Sequence, residues 1–270
     1  MRRIPPLPAL STAPLPALVP APFPALVLAL TLALALAGCS VPDRSDLMPQ
    51  PAPGASGTQT VVTLGDSVPA GTACDCDPFP DVYAGLLTPP ARSINESRAG
   101  FTSADVRDQL SDSGVRAAIG SATVVLIMAG ANDLADAFGD EQDDVAYRNA
   151  AAEVEQNVVA TVAAIHQTDP GTVTVLVIGY WNVVKDGEVG LATYGTDGER
   201  SAVTATQYAN QALRQAAADS GARYLPTVTV FKGDQRNQDP TALLAADGDH
   251  PNAQGHLAIA QALLAALPDG

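Results

Sequence analysis

Val61-Val62-Thr63-Leu64-Gly65-Asp66-Ser67 is the stretch on which the reading of this chain turns. It starts as a short β-branched apolar run, as a buried strand does, and Gly65 then permits the tight turn that ends it. In a parallel α/β sheet, ligands bind outside the carboxyl ends of the strands, so Ser67 stands where a crevice would open. Alone, the serine is read equally well as an ordinary turn residue. Three later stretches decide between the two.

Working outward, the next apolar runs are Ala91 to Asn95, Ala122 to Met128, Val173 to Ile178 and Ala222 to Val228, each predicted as a strand. Ala122 to Met128 is the most apolar and reads as a central strand covered on both faces. Helices are predicted over Pro80 to Leu87, from a Ser103 cap to Leu110, over Tyr147 to Gln167, Ser201 to Ser220 and Ala253 to Leu267. In the third of these, Val154, Val158, Val162 and Ile165 keep a helical period. Asp136 to Asp144 reads as a solvated acidic loop. Tyr180 to Arg200 reads as a long loop leaving the active side of the sheet, with Tyr180 and Trp181 as candidate substrate contacts and the loop itself as a substrate-shaping lid.

The ends of these strands carry the chemistry-bearing residues. Gly100 follows the second strand, Gly130-Ala131-Asn132-Asp133 follows the third, and Asp247-Gly248-Asp249-His250-Pro251 precedes the last helix. Asp247 and His250 are close enough on a non-helical turn to share a hydrogen bond. His166, at a helix end away from the carboxyl ends of the strands, and His256, inside the last helix, read as structural. Cys74 and Cys76 pair most simply with each other outside the cytoplasm. A metal site would need more soft ligands than the three histidines provide, so no metal or other cofactor is expected. A Gly-x-Ser-x-Gly elbow, a phosphate loop, a dinucleotide fingerprint and a zinc-protease helix are all missing from the sequence.

The 270 residues, 47% hydrophobic, suffice for one domain with a real core. A net charge of −15 argues against a nucleic-acid partner. Residues 1–38 read as a signal peptide: a basic Met1-Arg2-Arg3, a proline-rich lead, and an uninterrupted apolar run from Ala25 to Ala37 that is short for a membrane span. Leu36-Ala37-Gly38-Cys39 resembles a bacterial lipobox, which implies a diacylglyceryl group on Cys39 and attachment to the extracytoplasmic face of the cell membrane. The alternative is a plain secretory signal that happens to contain a cysteine. Residues 39–60, rich in Pro, Ser and Gly, form a tether reaching roughly 60 Å if polyproline-like. Residues 61–270 form the folded domain.

Taken together, Gly65-Asp66-Ser67, Gly100, Gly130-Ala131-Asn132-Asp133 and Asp247-Gly248-Asp249-His250-Pro251 resemble, in order and spacing, the sequence blocks of the SGNH hydrolases, also called GDSL esterases and lipases. The resemblance covers about residues 61–267. It departs at Glu96-Ser97-Arg98, where small or apolar residues are usual. It implies a three-layer α/β/α sandwich on a flavodoxin-like five-stranded parallel sheet, and a monomeric ester hydrolase acting on lipid, acetylated-glycan or small acyl esters. By the same resemblance Ser67 is the nucleophile, His250 its base and Asp247 the orienting acid. The N–H groups of Ser67 and Gly100 and the amide of Asn132 would form the oxyanion hole. An acyltransferase with a sugar acceptor and a non-catalytic envelope-binding protein on the same fold are the alternatives.

Overall fold

The computed structural model describes residues 59–267 apart from 142, 143, 170 and 172. The leader, Cys39 and nearly all of the tether lie outside the described residues. Five strands follow one another in parallel: β1 (Thr60–Gly65), β2 (Arg92–Asn95), β3 (Val124–Met128), β4 (Thr174–Ile178) and β5 (Arg223–Leu225). Their spatial order is β2-β1-β3-β4-β5. Every residue of β1 and β3 is buried, as the apolar runs predicted, while the edge strands β2 and β5 are partly open.

The helices are α1 (Phe79–Leu86), α2 (Ser103–Asp108), α3 (Ser113–Ile119), α4 (Ala131–Glu141), α5 (Asp144–Thr168), α6 (Gly187–Ser220), α7 (Val228–Lys232) and α8 (Ala253–Ala266). On one face of the sheet α1 packs with α8, and α7 joins α8; on the other, α5 packs against α2, α4 and α6. The result is the expected three-layer α/β/α sandwich. The first crossover runs outward from β1 to β2 and the next returns past β1 to β3, so the chain changes direction between β1 and β3. Crevices form at such a point, because the two connections leave the sheet on opposite sides. Among the described residues no helix is long and apolar enough to cross a membrane.

Four local expectations are corrected. The cap of α2 is Thr102, not Ser103: its hydroxyl accepts the Asp105 N–H while the Asp105 carboxylate accepts the N–H of Thr102. The acidic stretch from Asp136 is helical to Glu141, and α5 starts again at Asp144, because Leu134 and Phe138, one turn apart, are buried beneath it. The long loop after β4 is short. Helix starts at Gly187 and is broken only at Gly195, whose φ of 65° is a left-handed conformation that favours glycine. β5 ends at Leu225, and the β-branched Val228-Thr229-Val230 run is helical instead. Tertiary packing overrides local preference there.

Candidate active site

The end of β1 is built by close approach. Gly65 sits beside Met128 of β3, and a Cβ on Gly65 would lie 2.3 Å from the Met128 carbonyl oxygen. Only glycine fits, and the turn that follows is held by the Asp66 N–H on that same carbonyl at 3.1 Å. Asp66 is fully buried, and its Oδ1 accepts the N–H of Val68 at 3.0 Å. The Ser67 side chain is thereby turned out of the strand end into a cavity of about 460 Å³.

The turn before α8 brings the second half. Asp247 Oδ1 accepts the backbone N–H groups of Asp249 and His250, at 3.0 and 3.1 Å. This Asx-type turn leaves Oδ2 free to meet His250 Nδ1 at 2.7 Å. The other ring nitrogen, Nε2, lies 2.9 Å from Ser67 Oγ. Ser67, His250 and Asp247 thus form one connected chain, with Ser67 and His250 183 residues apart in sequence. Burial alone would raise the Asp247 pKa. The two backbone N–H groups and the imidazole outweigh it and hold the carboxyl below its usual value, so Asp247 is an anion at neutral pH. A neutral ring bonded in this way carries its proton on Nδ1 and presents the Nε2 lone pair to the serine.

Asn132 lies in the first turn of α4, at the end of β3, and lines the same cavity. Its Nδ2 donates one bond, 2.8 Å long, to the carbonyl of Phe101, which follows Gly100. That bond fixes the amide plane and ties the Gly100 loop to the start of α4, while the second amide hydrogen remains for a ligand. Asp133 adds a tie that the sequence did not disclose: its two carboxylate oxygens take the Ser103 N–H at 2.9 Å and the Ser103 hydroxyl at 2.7 Å. Gly100 itself is exposed, with φ of 82° and open space where a Cβ would stand. The two carboxylates beside Ser67 and Asn132 could have been suspected only from their adjacency in Gly65-Asp66-Ser67 and Asn132-Asp133.

The cavity wall combines apolar and polar groups: Phe138 and Tyr194 meet edge to face at 5.1 Å, the Tyr194 hydroxyl reaches the Lys185 backbone, and Asp249 lies near His250. Burial raises the Asp249 pKa, against the opposing pull of His250 and Lys185. Of the two expected substrate contacts, Tyr180 lines this cavity and Trp181 does not. Successive side chains past a strand point to opposite sides, and Trp181 is buried against Phe231, their rings stacked 3.9 Å apart. A larger cavity, about 640 Å³, lies behind the first turns of α6, where Lys232 and Asp186 form a mostly buried ion pair at 2.6 Å. It holds none of the catalytic candidates.

Cys74 and Cys76 are joined by a disulfide. With His256 they make the one close group of metal-ligand side chains among the described residues. Both sulfurs are spent on each other, and His256 Nδ1 already accepts the Phe79 N–H at 3.1 Å, so the group does not suit an ion. His166 lies in the last turn of α5 and is not among the residues lining the cavity.

No curated protein matches the sequence. Among solved structures, the lipase Lip_vut3 from a goat rumen metagenome superposes with a TM-score of 0.64 at 20% identity, covering 77% of this chain and 97% of that one. Phospholipase A1 from Streptomyces albidoflavus NA297 gives 0.57 at 20% identity, over 77% and 99%. The acetylxylan esterase Axe2 from Geobacillus stearothermophilus gives 0.55 at 20%, over 77% and 94%. At such identities these likenesses concern the fold. Residues 63–258 match the family of GDSL-like lipases and acylhydrolases. That span begins in β1 and ends in α8, and so contains the serine, the asparagine and the histidine together: the chain belongs to the GDSL-like lipase/acylhydrolase family and is an SGNH-type ester hydrolase.

Proposed function

We propose that this enzyme hydrolyses carboxylic esters through an acyl-serine intermediate, outside the cytoplasm, tethered by a lipid on Cys39. The observation that carries the mechanism is the unbroken chain Asp247 Oδ2–His250 Nδ1 at 2.7 Å and His250 Nε2–Ser67 Oγ at 2.9 Å, opening on a cavity. A serine hydroxyl attacks an ester only as its proton leaves, and Nε2 is placed to take it. Oγ bonds to the carbonyl carbon, the carbonyl electrons move onto oxygen, and the Asp247 anion stabilises the imidazolium that results. The oxyanion is assigned to the N–H groups of Ser67 and Gly100 and an amide hydrogen of Asn132, a reading supported by Ser67 and Asn132 lining the cavity and by the Asn132 bond to Phe101 beside Gly100. His250 then returns its proton to the leaving alcohol as the C–O bond breaks. Water repeats the sequence on the acyl-serine and releases the acid.

The cavity lining mixes apolar groups (Val68, Ala135, Phe138) with polar ones (Asn182, Lys185, Asp249), so it offers contacts both to an acyl chain and to a polar alcohol. That mixture fits lipid, acetylated-glycan and small acyl esters. The neighbours of this fold include a phospholipase A1 and an acetylxylan esterase, in keeping with such a range. The lipobox-like Leu36 to Cys39 and the Pro/Ser/Gly-rich stretch behind it are the grounds for the anchor.

The test is a panel of esters of increasing acyl length together with acetylated glycans, with products identified as free acid or as transferred acyl group. Turnover that disappears in Ser67→Ala supports the reading, and turnover retained in that variant ends it. Mass spectrometry of the mature protein should find a diacylglyceryl group on Cys39. An unmodified N-terminus downstream of it would remove the anchor.

A further inference from the structure

The oxyanion donors sit on separate elements, and something must hold them at one spacing. Ser67 is bracketed by Asp66 and Val68, and Asn132 by Ala131 and Asp133. One side chain joins the two brackets. The Tyr180 hydroxyl donates to Asp66 Oδ2, and the Ala131 N–H at the start of α4 lies in reach of the same phenolic oxygen. Asp66 passes the link on, because its Oδ1 holds the Val68 N–H. Tyr180 is itself gripped at its backbone: Asn210 of α6 accepts its N–H and donates to its carbonyl, both at 2.8 Å. Asp66 and Tyr180 are 0% and 1% exposed, so no water competes for these bonds.

We propose that Tyr180, through its bond to Asp66, is a positioning residue for the oxyanion hole. It is a strut that sets the distance between the Ser67 N–H and the Asn132 amide. The proposal rests on the reading of Ser67 as the nucleophile of an ester hydrolase. A plain structural tyrosine would not need a buried carboxylate opposite it. Keeping that carboxylate out of water has a cost: burial lifts Asp66 to about 7, in spite of the bonds from Tyr180 and Val68 and the pull of His250. Replacing the pair by apolar residues would be the cheaper way to fill the space. The cost is understandable where directional bonds must fix a hole to a fraction of an ångström.

The experiment is a double-mutant cycle with Tyr180→Phe, which removes only the hydroxyl, and Asn132→Ala, measured by steady-state kinetics on an ester that the wild type turns over. Near-UV circular dichroism checks the packing. Tyr180→Phe is expected to lower kcat about tenfold to a hundredfold, with KM changed less than about twofold. In the Asn132→Ala background the same change should cost less than about twofold, because the donor it positions is gone. A merely structural tyrosine would give the same loss in both backgrounds, and that result, or unchanged kcat in Tyr180→Phe, overturns the proposal. If Tyr180→Phe does not fold, Asp66→Asn takes its place in the cycle with the same expectations and the same overturning results. A wild-type protein without Ser67-dependent turnover would overturn the hydrolase reading and the strut with it. Ser67-dependent turnover with an additive cycle would overturn the strut alone.

Discussion

His250 and His256 are six residues apart, one on the turn before α8 and the other inside that helix, and they do opposite things. His250 keeps one edge at the cavity, its side chain 14% exposed, with Nδ1 held by the Asp247 carboxylate and Nε2 against the Ser67 hydroxyl whose proton it can take. His256 is wholly buried. Its Nδ1 accepts the backbone N–H of Phe79, its ring lies against the Phe79 ring, and so it fastens α8 to α1. Burial, with the charge of His250 nearby, lowers its pKa to about 4, and it stays neutral where His250 must work. The residue type supplies a titratable ring, and the surroundings decide whether that ring moves protons or holds helices.

The sharpest way to break this contrast is to exchange the roles by mutation. His250→Ala should lower kcat by at least about ten-thousandfold while the protein remains folded, since removing one member of such a triad disables the rest. His256→Ala should lower the melting temperature and leave kcat of the folded fraction within a few-fold. Kinetics paired with thermal melts on both variants check this, and a folded but inactive His256→Ala would end the distinction.

The next largest effect concerns Asn132, which lines the same cavity as His250. Asn132→Ala should reduce kcat by roughly a hundredfold to a thousandfold, about 2.7–4 kcal/mol, with little change in KM, because the lost bond strengthens only as the oxyanion forms. Asn132→Asp should be no better, since a carboxylate repels that charge. Wild-type kcat in both variants would make Asn132 a helix-start residue only.

A smaller effect is the pH dependence of stability. His256 has a folded pKa of about 4, below its unfolded value of 6.5, so the folded state holds fewer protons than the unfolded chain between those values. Its contribution is therefore whole above pH 6.5 and is lost as pH falls through 4, by roughly 3 to 4 kcal/mol at most. Asp66 acts in the opposite sense: its pKa, raised to about 7, makes the folded state progressively less stable as pH rises from about 4 to 7. The two slopes oppose each other in the wild type. The difference between wild type and His256→Asn, followed by chemical denaturation from pH 7 to 4.5, isolates the histidine and should shrink as pH falls. A constant difference would show that His256 carries no proton linkage.

Least is expected from the Cys74–Cys76 bridge, which closes a ring across a single intervening residue. Replacing both by serine should cost under about 2 kcal/mol, as befits so short a loop, and should leave kcat within about twofold. The turn after the nucleophile is held independently by the Thr72 N–H on the Ser67 carbonyl at 3.0 Å. A large loss of kcat would tie the loop to the site more tightly than these bonds imply.

The three central strands were legible as unbroken apolar runs, and α5 by its valine spacing. Ser67, Asn132 and His250 were legible because each follows a strand or precedes the last helix within a recognisable block. Other features were hidden for separate reasons. The acids of Asp136 to Asp144 masked the apolar edge of α4, and four glycines between Gly187 and Gly198 disguised the start of α6. Trp181 looked like a cavity residue because it follows a strand, but the face it points to depends on where β4 stops.

By itself, then, the sequence determined the strand order of events along the chain, the residue types at the strand ends and hence the kind of chemistry, because hydrophobic periodicity and turn residues act over a few neighbours. Only the tertiary structure decided that Tyr180 reaches Asp66, that Asp133 holds Ser103, and that His256 is kept neutral while six residues away His250 meets Ser67. Those facts depend on distances between segments remote in sequence and on how far each group is removed from water. Both are set when the sheet and its two helical layers close.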